Sequence, residues 1–453
     1  MPDQTCRLLI IGAGSGGYVC AIRAGQLGID TIIVDADRPG GTCLNVGCIP
    51  SKALIHAADE FHRIAAVGAG PLGIKTAAPH IDLSQTVAWK DGIVDRLNAG
   101  VSSLVKKAGA KFVPGHARFL DGKTVSVTDA DGQTSEIRAD HIVIATGSAP
   151  VELPFAPFGG NVLSSTEALS LSDAPASMAV IGGGYIGLEL GTAFAKLGTQ
   201  VTVVEAETHI MPSYDKALVA PVERRLKALG VTVLTGTQAQ GYGDGPLSTD
   251  SGDVAADKLL VTVGRRPRTK GIGIEELSLT MAGPYVRIDA NCQTSMRGIY
   301  AIGDVTGDPM LAHRAMAQGE MVAEIIAGHA VEWDKRAIPA VCFTDPEIVT
   351  CGALPGDIDD TEVSEFPFAA NGRAMTCEAE DGFIRVVWRK SDQAVMGIQA
   401  VGSQISELSS TFSLAIEMGA CLTDISATVH AHPTQSEGLQ EACLKALGHA
   451  LHI

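Results

Sequence analysis

The sequence predicts an α/β protein with two parallel, doubly wound sheets, followed by an α+β domain at the carboxyl end. Two observations support this prediction. An apolar strand, a glycine-rich turn and a helical run occur in that order near residue 10, and the same order recurs near residue 180. From about residue 338 this alternation gives way to β-branched segments followed by helices. Because strands that alternate with crossover helices form parallel sheets, the two copies predict two such sheets, and the later change of pattern predicts a separate domain.

The first copy begins with an apolar strand at residues 8–11, which runs directly into a glycine-rich turn. Gly12, Gly14 and Gly17 have the spacing that permits a tight turn, a close approach of the backbone to a pyrophosphate, and close packing of helix on strand. The helix that follows would direct its free N–H groups at the pyrophosphate. A second strand ends at Asp35, whose carboxylate would accept hydrogen bonds from ribose hydroxyls. The loop therefore predicts a Rossmann-like dinucleotide site, and a glycine turn without function is the weaker alternative because strand, helix and acid are all present.

The second copy repeats this design with a different acid. The three glycines correspond here to Gly182, Gly184 and Gly187. In both copies the acid lies 23 positions after the first glycine of the loop. This acid, Glu205, would accept a hydrogen bond from a 2′-hydroxyl and repel a 2′-phosphate, and no arginine occurs in residues 201–208 to bind such a phosphate. The second loop therefore predicts NAD rather than NADP. Two nucleotide sites in one chain indicate FAD and NAD as the cofactors.

Two cysteines with four residues between them follow the first copy. If the segment makes a helical turn, Cys43 and Cys48 can form a disulfide, and a helix N-terminus would stabilise the thiolate that disulfide exchange requires. A packing pair and half of a zinc site are the alternatives, but a zinc site needs two further ligands at nearby spacing, and none occurs. A close cysteine pair beside a nucleotide loop therefore predicts a redox-active disulfide and no metal.

These motifs together resemble those of a known family. Residues 40–52, with the sequence GGTCLNVGCIPSK, resemble the redox-active motif of the pyridine nucleotide–disulphide oxidoreductases, and the similarity extends over essentially the whole chain. Within the family the chain is most similar to the enzymes that oxidise dihydrolipoamide. The resemblance implies two Rossmann-like FAD- and NAD-binding domains plus a C-terminal α+β dimerisation domain. The implied boundaries are 1–148 for the FAD-binding domain, 149–268 for the NAD-binding domain, 269–337 for a central domain that completes the FAD site, and 338–453 for the interface domain.

The resemblance also implies roles for residues around the flavin. Asp304 would contact the ribityl chain of FAD, and Ala312 would lie beside the flavin. Lys52 would sit near the flavin and pair with a helix glutamate, Glu189. Tyr185 matches a position that can cover the nicotinamide side of the flavin. The remaining implied cofactor positions are Gly41, Thr42, Ala117, Thr146 and Gly147 for FAD, and Ile186 and Gly264 for NAD.

A histidine near the end of the chain resembles the acid–base residue of this family. A thiol substrate needs a base that exchanges protons near neutral pH, and histidine suits that task. His432 would be the base, and the carboxylate of Glu437 would orient its ring and stabilise its protonated form. Taken alone, the motif would be better explained as two surface histidines, His430 and His432, near a proline turn, but the cysteine pair in the same chain favours the acid–base role. The resemblance implies that the histidine comes from a second subunit, so that the site requires a homodimer.

The same resemblance implies that the enzyme serves a multienzyme complex. The predicted partners are the lipoyl domain and the acyltransferase core of a 2-oxo acid dehydrogenase complex, since the sequence shows no lipoyl-like extension of its own. Residues 313–328, 366–375 and 446–453 are similar to the member dedicated to the branched-chain complexes. The pyruvate and 2-oxoglutarate complexes and the glycine cleavage system are the alternative clients.

Two other enzymes and one non-enzymatic role are the competing interpretations. A glutathione reductase would carry arginines for NADP near position 205, where this chain has a glutamate. A mercuric reductase would end in a vicinal cysteine pair, whereas Cys443 stands alone. A mainly structural or adhesive component would be expected to have lost the cysteine pair or the histidine, and the sequence retains both.

Composition and charge argue against several classes of protein. The 453 residues are too many for one hydrophobic core, and a hydrophobic fraction of 46% indicates a globular rather than a disordered chain. Glycines and charges interrupt every apolar stretch, so no membrane span is predicted. The net charge of −17 would repel phosphates, which argues against a nucleic-acid partner and an anionic membrane surface. Since the sequence shows no secretory signal, the predicted location is the cytoplasm.

Overall fold

The computed structural model describes residues 2–68, 70–243 and 245–453 of the chain. The first part of the chain forms a sheet with the strand order β3-β2-β1-β6-β5-β4. Parallel pairing joins β3, β2, β1 and β6, as predicted, whereas β5 and β4 extend the sheet in antiparallel pairing, so the sheet as a whole is mixed. The elements of this part are β1 (Gln4–Ile11), α1 (Ser15–Gln26), β2 (Thr31–Asp35), α2 (Gly41–Val46), α3 (Cys48–Val67), α4 (Leu83–Lys107), β3 (Lys111–Pro114), β4 (His116–Phe119), β5 (Thr124–Thr128) and β6 (Thr134–Ile144).

The second part of the chain contains the second parallel sheet, with the strand order β11-β10-β9-β14-β8. Every pairing in this sheet is parallel, as the second glycine copy predicts. The elements of this part are β7 (Ser148–Pro150), β8 (Val162–Leu163), α5 (Ser165–Ala168), β9 (Ser177–Ile181), α6 (Tyr185–Lys196), β10 (Gln200–Val204), α7 (Lys216–Ala228), β11 (Thr232–Leu234), β12 (Ala239–Gly241), β13 (Ser248–Thr249), β14 (Lys258–Val261) and β15 (Arg265–Pro267).

The chain then returns to the first sheet. The elements of this return are β16 (Met281–Ala282), β17 (Tyr285–Val286), β18 (Ile299–Ala301) and α8 (Ala312–Ala327). Strand β18 pairs in parallel with β6, and α8 packs along α1. The first sheet is therefore built from two separate stretches of sequence, with the second sheet formed by the residues between them.

The last part of the chain is an α+β domain, as predicted. Its sheet is antiparallel throughout and has the strand order β19-β20-β23-β22-β21. Helices α10 and α12 pack against it. The elements are β19 (Ala340–Cys342), β20 (Glu347–Gly352), β21 (Thr361–Pro367), α9 (Gly372–Thr376), β22 (Phe383–Arg389), β23 (Val395–Gly402), α10 (Ser409–Glu417), α11 (Leu422–Ala427) and α12 (Glu437–Ala446).

One hydrophobic core joins these three parts. Leu54 of α3, Leu188 of α6 and Ile348 of β20 are buried members of a single cluster. Burial of apolar side chains from all three parts in one cluster fixes their relative positions, since protein interiors pack as densely as organic crystals. Residues from distant parts of the sequence can therefore form one site.

Among the described residues, α4 is the longest helix, with 25 residues. Length alone would allow it to cross a bilayer, but charged side chains such as Lys90, Asp91 and Asp95 interrupt its apolar positions. Across the described ranges, no helix is both long and apolar enough for a membrane span.

Candidate active site

A cavity of about 430 Å³ lies between the first parallel sheet and the start of α6. Residues from the first glycine loop, the cysteine segment, α6 and the returning segment all line it, so the fold gathers the predicted positions at one place. The predicted site residues that line this cavity are Gly12, Gly14, Asp35, Gly41, Thr42, Cys43, Cys48, Lys52, Thr146, Gly147, Tyr185, Ile186, Glu189, Asp304 and Ala312.

Glycine backbones without side chains line one part of the cavity wall. Gly12 has a φ of +105°, and a Cβ atom there would collide with the carbonyl oxygen of Ala145. A Cβ on Gly41 would lie 2.5 Å from the Cα of Gly14. Helix α1 begins at Ser15, so its free N–H groups point toward this place. A cradle without side chains beside a helix N-terminus fits the pyrophosphate of FAD.

Asp35 lies at the end of β2, next to this cradle. Its carboxylate accepts hydrogen bonds from the N–H groups of Ala13 (2.6 Å) and Asp37 (3.0 Å), which fixes its orientation against the loop. A carboxylate has about four acceptor positions, so Asp35 can still accept from ribose hydroxyls. Ala117 on strand β4 is buried and does not line the cavity. Its predicted contact with FAD therefore stays a prediction.

The cysteine segment forms two consecutive helices. Cys43 lies within α2, and Cys48 is the first residue of α3, so its sulfur lies where the helix N-terminus favours a thiolate. Both thiols are free and face the cavity, which is the reduced state of the predicted disulfide. The hydrogen bond from Cys43, together with the positive charge of Lys52 and against the effect of burial, lowers the pKa of the Cys48 thiol to about 7. The hydrogen bond to Cys48 and burial raise the pKa of Cys43.

Lys52 lies one helical turn after Cys48 on α3. Its Nζ is 2.8 Å from Oε2 of Glu189 on α6 and 4.4 Å from the centre of the Phe343 ring. Glu189 is buried, and its other oxygen accepts a hydrogen bond from the N–H of Phe343 at 2.9 Å. Phe343 is a contact that the sequence analysis missed, because no local pattern connects it to residues so far away in the chain. The resulting triad holds one positive charge beside the Cys48 sulfur.

Asp304 lines the cavity from the segment that returns to the first sheet. It accepts a hydrogen bond at 2.5 Å from the hydroxyl of Ser148, which in turn accepts one from Nε of Arg265 at 2.8 Å. Ala312 is the first residue of α8, so that helix also begins at the cavity. Ser148 and Arg265 were not predicted as site residues, although both directly follow predicted ones, Gly147 and Gly264.

The second glycine loop has the same internal hydrogen bonds as the first. Glu205 accepts hydrogen bonds from the N–H groups of Gly183 (2.6 Å) and Glu207 (2.8 Å), as Asp35 does in the first copy. A Cβ on Gly187 would collide with the carbonyl oxygen of Gly182, which lets α6 pack closely on the loop. Tyr185 begins α6 and lines the same cavity as Cys48. The helix of the second loop therefore starts at the wall of the cysteine cavity, which fits an NAD site adjoining the flavin position.

The histidine and its glutamate are paired. Nδ1 of His432 lies 2.8 Å from Oε1 of Glu437, the first residue of α12. Oε2 of Glu437 accepts a hydrogen bond from the N–H of Thr434 at 2.7 Å. Partial burial alone would raise the pKa of the Glu437 carboxyl, but the hydrogen bonds from Thr434 and His432 lower it below its ordinary value. The carboxylate therefore stays charged and directs Nε2 of His432 outward.

The structure does not bring this histidine to the cysteines of its own chain. The His432 side chain is 80% exposed and does not line the cavity that holds Cys43 and Cys48. Within one chain, His432 therefore stands apart from the cavity of the cysteines. Among the described residues, no three His, Cys, Asp or Glu side chains are grouped so that they could hold a metal ion.

Comparison with known proteins identifies a family. The Pyridine nucleotide-disulphide oxidoreductase profile matches residues 6–319, and the profile of the dimerisation domain of the same family matches residues 338–443. A dihydrolipoyl dehydrogenase of Pseudomonas aeruginosa is 55% identical over 98% of both chains. A dihydrolipoyl dehydrogenase of Geobacillus stearothermophilus is 43% identical over 98% of this chain and 97% of its own.

The structural comparison gives the same result. The solved structure of LpdA from Mycobacterium tuberculosis superposes with a TM-score of 0.89 at 28% identity, and the match covers 97% of this chain and 99% of the other. The profile matches, the full-length relatives and the shared architecture agree with one another. The chain therefore belongs to the pyridine nucleotide-disulphide oxidoreductase family.

Proposed function

We propose that the chain is a dihydrolipoyl dehydrogenase, which oxidises dihydrolipoamide through Cys43, Cys48 and FAD and reduces NAD. The observation that carries the proposal is the position of Cys48 at the start of α3, with Lys52 one turn later, in a cavity lined by both nucleotide-loop regions. The full-length relatives named dihydrolipoyl dehydrogenase support the same substrate. The chain is thus an FAD-dependent oxidoreductase that uses NAD.

The oxidation of the substrate is a thiol–disulfide exchange. His432 of a second copy takes a proton from one thiol of dihydrolipoamide, and the resulting thiolate attacks Sγ of Cys43 in the oxidised pair. The bond between the cysteines breaks, and Cys48 leaves as a thiolate. The second substrate thiol attacks the substrate sulfur of the mixed disulfide, which closes the lipoamide ring and releases Cys43. Two electrons have then passed to the cysteines, and of the two substrate protons one is bound by Cys43 and the other leaves through His432.

The chain's own residues prepare Cys48 for the next step. FAD bound in this cavity would accept the electron pair from the dithiol and pass it as hydride to NAD. Lys52 stabilises the Cys48 thiolate electrostatically, and Glu189 with the Phe343 N–H fixes the lysine in place. Tyr185 lies at the cavity wall where the second nucleotide loop leads into α6.

The assembly we propose follows from the same features. The dimerisation domain and the separation of His432 from the cysteines support a homodimer. We place the homodimer in a 2-oxo acid dehydrogenase complex, with the lipoyl domain and the acyltransferase core as partners and the branched-chain type as the first candidate. We further propose a cytoplasmic location and the domain boundaries after residues 148, 268 and 337.

Steady-state turnover tests the proposed function. Purified protein should form NADH rapidly from dihydrolipoamide and NAD, and it should not reduce glutathione disulfide with NADPH, because Glu205 repels a 2′-phosphate. Cys48→Ser is the matched control, since it keeps the cavity but lacks the thiolate: FAD should remain bound and turnover should vanish. Activity only with glutathione disulfide and NADPH would make the protein a different reductase, and undiminished turnover of Cys48→Ser would refute the role of the cysteine.

A further inference from the structure

Two ion pairs of opposite polarity connect α3 and α6. The first joins Lys52 of α3 to Glu189 of α6 at 2.8 Å. The second lies seven residues later on both helices and joins Asp59 of α3 to Lys196 of α6 at 2.5 Å. Seven residues are about two helical turns, or roughly 10 Å, so both pairs lie on the same facing sides of two helices that run in the same direction.

A short segment of the interface domain crosses both pairs. The N–H of Phe343 donates to Glu189 at the first pair, and Oδ2 of Asp345 lies 2.6 Å from Nζ of Lys196 at the second. The same oxygen of Asp345 is 2.7 Å from Nε of Arg225 on α7. The second pair and Asp345 therefore form one cluster of charges that connects α3, α6, α7 and the interface domain.

Lys196 is the centre of this second cluster. Only 7% of the residue is exposed, and Ala193 and Phe194, which precede it on α6, belong to the hydrophobic core to which α3 also contributes. A buried ammonium group is costly unless it is paired, and here two carboxylates satisfy it. Burial alone would raise the pKa of the Asp345 carboxyl, but Lys196 and Arg225 lower it below its usual value, so the carboxylate stays charged.

The cluster lies two turns from the chemistry and takes no part in it. We propose that Lys196, through Asp59 and Asp345, is a positioning residue that fixes α3 against α6 and so holds Lys52 on Glu189 beside the Cys48 sulfur. The inference rests on the proposed redox role of Cys48. If the second pair is lost, α3 can rotate or slide against α6, and the first pair is then no longer constrained at one end.

The consequence can be measured at Cys48. The groups that face its sulfur are Cys43, Lys52, Glu189, Tyr185 and Arg265. Of these, the Lys52 charge favours the thiolate, and Glu189 opposes it. Withdrawal of Lys52 removes the favourable charge and exposes the sulfur to the unpaired carboxylate, so more alkaline conditions are needed to form the thiolate. The groups that face Lys196 are Asp59, Asp345, Arg225 and His62.

The test is the pH dependence of Cys48 alkylation in the reduced holoenzyme. Iodoacetamide reacts with the thiolate, and peptide mass spectrometry distinguishes Cys48 from Cys43. Lys196→Met should raise the midpoint of Cys48 alkylation by about 0.5 to 1 pH unit, as expected when an adjacent charge is displaced. Lys196→Arg keeps the charge and should stay closer to the wild-type midpoint.

Arg224→Gln is the matched control. Arg224 lies beside Arg225 on α7 and bonds to Asp381 of the interface domain through two hydrogen bonds of 3.1 and 2.5 Å. The substitution therefore breaks an ion pair between α7 and the interface domain, the two parts that Arg225 and Asp345 also join, and it changes no contact of α3. It should leave the Cys48 midpoint at the wild-type value.

Several outcomes would overturn the proposal. A Lys196→Met enzyme with a lower melting temperature but an unchanged Cys48 midpoint would make the lysine merely structural. An equal shift in Arg224→Gln would assign the effect to general loosening between the domains. If Lys196→Met does not fold, Asp59→Asn keeps the Lys196–Asp345 pair and should give a smaller shift in the same direction, and no shift there also overturns the proposal. A wild-type Cys48 whose alkylation does not depend on pH would instead refute the proposed redox role, and the inference with it.

Discussion

At the scale of single residues, the chemistry depends on charges that are oriented by backbone hydrogen bonds. Glu437 illustrates this, because its two oxygens are used by the Thr434 N–H and by the ring of His432. The glutamate begins α12, where the helix N-terminus favours a negative charge. It therefore holds the ring of His432 from a fixed position.

This arrangement predicts unequal losses for the two residues. His432→Ala removes the base and should lower kcat/KM for dihydrolipoamide by about two to four orders of magnitude. Glu437→Gln keeps the size and one hydrogen-bond acceptor, so it should cost less, on the order of tenfold. Both are measured in the dihydrolipoamide and NAD assay. His430→Ala is the control, since His430 is half-buried, its Nδ1 lies 2.9 Å from the carbonyl oxygen of Thr428, and it is not part of the pair of His432 with Glu437. A loss in this variant, or a loss in Glu437→Gln as large as in His432→Ala, would contradict the assignment.

At the scale of elements, the two glycine loops are the same structure used twice, and their differences are informative. Gly17 and Gly187 occupy the same position, where a Cβ would collide with the carbonyl oxygen of the first glycine of the loop. One helical turn later the first copy has Ala21, fully buried, whereas the second has Gly191. A Cβ on Gly191 would meet Val180 and Val201 at 3.5 Å, which is ordinary van der Waals contact. The first position is therefore closed to any side chain, and the second is not.

The comparison predicts opposite results for two substitutions on one helix. Gly187→Ala should push α6 away from its loop, lower the free energy of unfolding by about 1 to 3 kcal/mol, and raise KM for NAD. Gly191→Ala should be tolerated and could raise the free energy of unfolding by about 0.5 to 1 kcal/mol, because alanine is the better helix former. Denaturant unfolding and NAD titration of the two variants check this. Equal effects of the two substitutions would show that close packing of helix on loop does not set the glycine requirement.

At the scale of the whole molecule, the sequence predicts individual strands and loops but misses contacts between residues that are far apart in the chain. The strand predicted to end at Asp35 is β2, Thr31–Asp35, and the strand predicted at residues 8–11 is the second half of β1, Gln4–Ile11. A continuous apolar run that ends at a glycine or an acid predicts a strand, since a strand in a parallel sheet is buried on both faces. The contact of Phe343 with Glu189, 154 residues away, has no local pattern, and the cluster around Lys196 has none either. Such contacts arise only when separate parts of the chain pack on one core.

The whole molecule also decides where the base acts. Within one chain, His432 is exposed and lies outside the cavity of Cys48, and exposed apolar side chains of the same domain, Leu414, Met418 and Val429, offer a surface for a second copy. Both observations support an active site shared between two chains.

A hybrid dimer tests this arrangement. Cys48→Ser and His432→Ala should each be inactive alone, because every site in such a homodimer lacks either the thiolate or the base. When the two variants are mixed, dissociated and reassociated, half of the dimers contain one chain of each kind. In these hybrid dimers, the intact cysteines of the His432→Ala chain face the intact histidine of the Cys48→Ser chain, so one of the two sites is complete. The mixture should therefore recover about one quarter of the wild-type activity in the dihydrolipoamide assay. Wild-type enzyme taken through the same treatment calibrates the losses of reassociation. If His432 served the cysteines of its own chain, the hybrid would contain no complete site, and the mixture would stay as inactive as either variant.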